Sequence, residues 1–145
     1  MNAEGNFPSQ PYREPVRRVI EELFNAGQLA VVSELYAAEY IRHDPATPDL
    51  TGGLDGIKEV ITRYRTAFPD LQLTQEDLVA EGDKAVVRWS AHGTQHGELP
   101  GIAPTGRAFT ITGLSMYRFV DGQIVEEWTN WDTLGMLQQL GMIPG

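Results

Sequence analysis

The chain has no cysteine. That excludes a disulfide framework, a thiolate nucleophile and a cysteine-ligated zinc. It also lacks any apolar run approaching the roughly 18 residues that a membrane-spanning helix needs. The first twelve residues, MNAEGNFPSQPY, have neither the basic start nor the apolar stretch of a secretory signal. They read as a flexible arm, which leaves residues 13–145 as one domain, and the cytoplasm is the expected compartment. Positive charge is scarce too: eleven Lys and Arg stand against twenty Asp and Glu, for a net charge of −9. A nucleic-acid binder carries a basic stripe that displaces counterions from phosphates. The densest basic cluster here is Arg17-Arg18, and acids follow it at once. Nucleic acid and an anionic membrane surface are therefore not expected partners.

What is present is ordinary for a globular domain: 145 residues, 41% of them apolar and 21% charged. Pro15 suits the first turn of a helix. Val16, Val19, Ile20, Leu23 and Phe24 follow at helical spacing, and Gly27 is placed to end the run. A second helix is expected over Leu29–Ala38, then a short extended piece, Tyr40–His43, stopped by Asp44-Pro45. Leu54, Ile57, Val60, Ile61, Tyr64 and Phe68 mark a third helix. From Leu71 onward the apolar period drops to two. Strands are expected over Leu71–Ala80, Lys84–His96, Ala108–Val120 and Gln123–Trp131, the last two joined by an Asp121-Gly122 hairpin turn. Leu134, Leu137 and Leu140 suggest a short final helix. Three helices followed by a meander of long strands is an α+β plan.

Several segments occur together in an order that resembles the SnoaL-like polyketide (ester) cyclases, of the NTF2-like superfamily. They are Tyr40–Pro45 (YIRHDP), Ala67–Leu71 (AFPDL), Glu81-Gly82-Asp83, Arg88, Gly93–Arg107, Asp121–Trp128 (DGQIVEEW) and Asp132–Gly141. The resemblance implies an NTF2-like (cystatin-like) cone: three helices packed on a curved antiparallel sheet, a short C-terminal helix, and a cavity for an apolar small molecule. It also implies acid/base chemistry by an aspartate on the last strand and a histidine on its neighbour. Carried over position by position, these fall on Thr129 and Ser115, and neither side chain can take a proton from carbon at neutral pH. Turnover of standard aldol-cyclase substrates is therefore not expected.

If the family's catalytic position marks the cavity side, alternation along the last strand puts Glu127 and Trp131 there with Thr129. Ser115 and Tyr117 join them from the adjacent strand, and Trp89 with Gln95 from the next. Aromatic walls with a few polar groups suit a small-ligand site. A carboxylate at Glu127 inside such walls is a candidate general base; the alternative places it in solvent or against an arginine. His43 ends a segment that reaches the cavity in relatives, and it is the candidate partner acid, with a structural histidine as its alternative. Asp132 reads better as the cap of the final helix. His92 and His96 lie about 13 Å apart along a strand, too far to clamp one ion. GIAPTGR at 101–107 lacks the ending of a phosphate loop. No metal and no cofactor is expected.

Two functions follow. One is a cofactor-independent enzyme that cyclises, isomerises or hydrolyses an apolar polyketide-like carbonyl or epoxide compound, with His43 and Glu127 catalytic. Trp89, Gln95, Ser115, Tyr117, Thr129 and Trp131 would then bind the substrate. The other is a non-catalytic module that binds a hydrophobic ligand, favoured by Thr129 and Ser115. A homodimer is expected as well, because the opposite sheet face, with Leu114, Met116 and Trp128, is too apolar to leave in water.

Overall fold

The structure is a computed structural model and describes residues 10–145. Residues 1–9 of the expected arm lie outside that range. Its last three residues belong to the first helix, α1 (Gln10–Arg18). Tyr12 holds the chain there: its ring lies 4.6 Å from Phe119, and its hydroxyl donates to the carbonyl of Gly82. Pro15 is thus well inside the helix, not in its first turn. Val19–Asn25 continues the helix in a wider π-helical turn, where the amide of Ala26 reaches back five residues to Glu21. Val16, Val19, Ile20 and Leu23 are buried as their spacing predicts.

The second helix is shorter than expected. A 3-10 turn at Leu29–Val31 leads to α2 (Val32–Leu35), and strand β1 (Tyr36–His43) takes over the following residues. Tyr36 and Tyr40, both buried, fit either period. Pairing decides: Tyr36 lies opposite Ile124, and the two tyrosine rings pack edge to face at 4.8 Å. The remaining elements are α3 (Gly53–Ala67), β2 (Gln72–Glu81), β3 (Lys84–Thr94), β4 (Ala108–Val120), β5 (Gln123–Trp131) and α4 (Thr133–Gln139). Asp121 at φ 49° and Gly122 at φ 80° make the expected tight hairpin turn. Asp132 caps α4 through Gly135 N–H at 2.9 Å.

The five strands form one sheet in the order β1-β5-β4-β3-β2. The β2–β5 meander is antiparallel, as expected, but β1 joins the edge parallel to β5, so the sheet is mixed. No hairpin links β1 to β5; α3 and strands β2, β3 and β4 lie between them in sequence, which leaves the direction of β1 free. The fold is an α+β arrangement of the NTF2-like kind. On the sheet's inner face Val87, Trp89, Ile111, Tyr117 and Ile124 meet Ile57, Val60, Ile61 and Phe68 in one core. The outer face leaves Ile41 and Leu114 about half exposed. Among the described residues, no helix is long and apolar enough to cross a membrane.

Candidate functional site

Alternation along β5 turns Glu127, Thr129 and Trp131 toward the helices, where they border an apolar cavity of about 70 Å³. Ile20 and Phe24 from the π-helical turn, Val60, Tyr64 and Phe68 around α3, and Met136 of α4 close its sides. One glycine makes the aromatic wall possible. Trp89, Gly113 and Trp131 are aligned across three strands. A Cβ on Gly113 would come within 2.4 Å of the Trp89 ring and 2.8 Å of the Trp131 Cβ. The two tryptophans occupy the space that a side chain would fill.

A continuous polar network forms the floor. Trp89 Nε1 donates to Ser115 Oγ at 3.1 Å, and Ser115 Oγ lies 2.9 Å from Thr129 Oγ1. Thr129 donates to Glu127 Oε2, and Tyr40 donates to Oε1 at 2.6 Å. Arg42 completes the network. Its Nη1 sits 3.0 Å from Glu127 Oε2, and its Nη2 sits 3.0 Å from Asp44 Oδ2. The other Asp44 oxygen accepts from Ala46 N–H. Arg42, Asp44 and Glu127 are all buried. Burial is the largest single influence and pulls the Arg42 guanidinium down, but Glu127, Tyr40 and Asp44 together more than offset it and hold it well above its ordinary value. Burial raises the Tyr40 and Tyr117 hydroxyls, and the Glu127 charge adds to the effect. Tyr64 is pushed up to about 12, by burial first and Asp44 second. These phenols keep their protons through neutral pH.

Of the residues singled out in the sequence, Trp89, Ser115, Tyr117, Glu127, Thr129 and Trp131 border this one cavity. Two do not. His43 lies on the outer face of β1, its Nε2 2.7 Å from Glu126 and its ring stacked on Trp128 at 5.3 Å. The expectation that it shares a cavity with Glu127 is corrected by strand alternation, which turns Arg42 inward and His43 outward. Gln95 is buried, but its side chain holds the loop after β3, accepting from Thr105 Oγ1 at 2.8 Å and donating to Gly97 O at 3.2 Å. It falls beyond the end of β3, where the inward alternation no longer applies. The sequence reading missed Arg42, Asp44 and Tyr40, although YIRHDP contains all three. The signal was period two: residues 40, 42 and 44 share the side opposite His43.

The pattern of the SnoaL-like polyketide cyclase family matches residues 14–140, and the chain belongs to that family. Among named relatives, aklanonic acid methyl ester cyclase AcmA of Streptomyces galilaeus is 30% identical over 131 residues, 87% of this chain and 88% of its own. The cyclase DnrD of Streptomyces peucetius is 29% identical over 130 residues, with the same coverage of each chain. Among solved structures, IdmH from Streptomyces antibioticus is 37% identical with a TM-score of 0.78, covering 91% of this chain and all but 1% of its own, at 99%. TsrD from Streptomyces laurentii reaches a TM-score of 0.84 at 30% identity, covering 95% of this chain and 100% of its own.

Proposed function

We propose that this protein is a cyclase-type enzyme that takes an apolar polyketide-like carbonyl compound into the cavity and uses Glu127 as its base. One observation carries the reading: of the two carboxylates that border the apolar cavity, Asp44 and Glu127, Glu127 is the one carried by the sheet floor, held in place by Tyr40, Thr129 and Arg42. It lies two residues along the strand from Thr129, on the same face, about 7 Å away at strand rise. In the reaction Glu127 takes a proton from the carbon beside a carbonyl, and the electron pair moves onto that carbonyl's oxygen. The resulting enolate carbon attacks a second carbonyl of the same molecule. The new alkoxide recovers the proton, so the ring closes without net loss of atoms. Tyr64 and Tyr117, both kept protonated, supply hydrogen bonds to the oxygens that gain charge. His43 has no part in this scheme.

The test is Glu127→Gln, assayed for binding and turnover on a panel of polyketide-like carbonyl compounds, with aklanonic acid methyl ester included. The variant should keep binding and lose about 10²-fold or more in rate, the scale of a missing general base. A parent that binds members of the panel and alters none would identify a carrier instead.

A further inference from the structure

At the cavity floor each hydroxyl hydrogen has a fixed destination. Trp89 Nε1–H can only donate, so Ser115 Oγ accepts from it. The Glu127 carboxylate can only accept, so Thr129 gives its hydrogen to Oε2 and Tyr40 gives its own to Oε1. Ser115 and Thr129 stand 2.9 Å apart, which requires one hydrogen between them. The Thr129 hydrogen is already committed to Glu127; the one between them is therefore Ser115's. The relay runs one way, from Trp89 through Ser115 and Thr129 to Glu127. Arg42 meanwhile directs its two terminal nitrogens at Glu127 and Asp44. Thr129 has one lone pair and no hydrogen left for a ligand; Ser115 has no hydrogen left either, and its remaining lone pair is shared with the Tyr117 hydroxyl beside it.

We infer that this floor is a subsite for a hydrogen-bond donor, and that the substrate carries a hydroxyl, phenolic or enolic, which sits against Ser115 and Thr129. A carbonyl oxygen placed there would meet lone pairs with no hydrogen between, a loss that buried polar groups do not recover. Carbonyl oxygens of the same molecule face the Tyr64 and Tyr117 phenols instead. The inference rests on the proposed function only in taking the cavity as the substrate site; it does not depend on turnover.

Three probes of one ring size separate the possibilities: 1-naphthol, 1-methoxynaphthalene and 1-acetonaphthone. Their affinities can be read by calorimetry or by quenching of the cavity tryptophans, Trp89 and Trp131. In the parent, 1-naphthol should bind about tenfold or more tighter than either of the others, the scale of one lost hydrogen bond into a buried network. Thr129→Val keeps the volume but removes the acceptor of the Ser115 hydrogen, which then points at the ligand. In that variant 1-acetonaphthone should gain on 1-naphthol severalfold, whereas simple loss of packing would weaken all three alike. If Thr129→Val does not fold, Glu127→Gln serves, because its amide N–H can reverse the relay and narrow the same preference. Equal affinities in the parent would overturn the donor subsite and leave the cavity reading standing. An unchanged preference in the variants would overturn the relay that carries the inference. Failure of all three probes to bind would remove the ligand cavity, and this inference with it.

Discussion

Glu126 and Glu127 are neighbours on β5, yet they face opposite sides of the sheet. Each meets a basic residue of β1: His43 reaches Glu126 at 2.7 Å on the outer face, and Arg42 reaches Glu127 at 3.0 Å inside. Parallel pairing of the two strands sets both contacts at once, since Arg42 lies opposite Glu127 and His43 opposite Trp128. The outer side chains are 46% and 22% exposed, whereas the inner ones are 4% exposed each. Two contacts of similar length and the same strand origin therefore differ chiefly in their solvent. Outside, water and salt screen the pair and little depends on it. Inside, each charge relies on its partner, because its hydration has been lost.

The difference is tested most directly by removing the inner cation. Arg42→Met leaves Asp44 and Glu127 buried with no positive partner, and should cost about 3–5 kcal/mol of stability, the usual penalty for breaking a buried pair from one side. Urea unfolding of variant and parent would measure it. A loss below about 1 kcal/mol would place the inner pair with ordinary surface pairs and erase the contrast.

A smaller effect separates two tyrosines on the same face of β1. The Tyr40 hydroxyl donates to Glu127, whereas the Tyr36 hydroxyl, equally buried, has no partner among the described residues. Tyr40→Phe should cost about 1.5–3 kcal/mol, as for a hydrogen bond to a charged group. Tyr36→Phe removes only an unsatisfied hydroxyl and should be neutral or stabilise by about 1 kcal/mol. Equal losses in thermal unfolding would show that ring packing, not the hydrogen bond to Glu127, decides both.

The meander was legible because period two with a clear Asp121-Gly122 turn has few competing readings, and residues 108–120 and 123–131 are strands as expected. The inward set on β4 and β5 followed from the same alternation once one position was anchored to the family. β1 was harder. Tyr36 and Tyr40 are four apart, a spacing that fits a helix as well as a strand, and only pairing with β5 decides between them. The helix boundary did not hide the site residues, because Tyr40–His43 already reads as extended. Alternation over those four residues puts Tyr40 and Arg42 on one face and His43 on the other; His43 was drawn to the cavity by the family resemblance instead. Gln95 could not be placed from pattern, because its side chain follows the hydrogen-bonding needs of a loop and not the period of a strand.

The outer pair should give the smallest response, and its pH dependence makes it measurable. Glu126 is held below its ordinary value of 4.5, mainly by the hydrogen bond from His43 and further by Arg118. A carboxylate whose folded value lies below its unfolded one adds stability above the unfolded value and loses it as pH falls through the folded one. Glu126→Gln should therefore lower the Tm slightly near pH 7, by no more than about 2 °C for so exposed a pair. The gap to the parent should close as the pH drops below 4.5, and 1 M salt should shrink it at neutral pH. His43→Asn should produce the same small loss at neutral pH and leave the affinity of the cavity for 1-naphthol unchanged, since the ring lies on the far side of the sheet. A ligand affinity that falls with His43→Asn, measured beside an unchanged Glu126→Gln, would tie the two faces together through β1 and break the contrast between them.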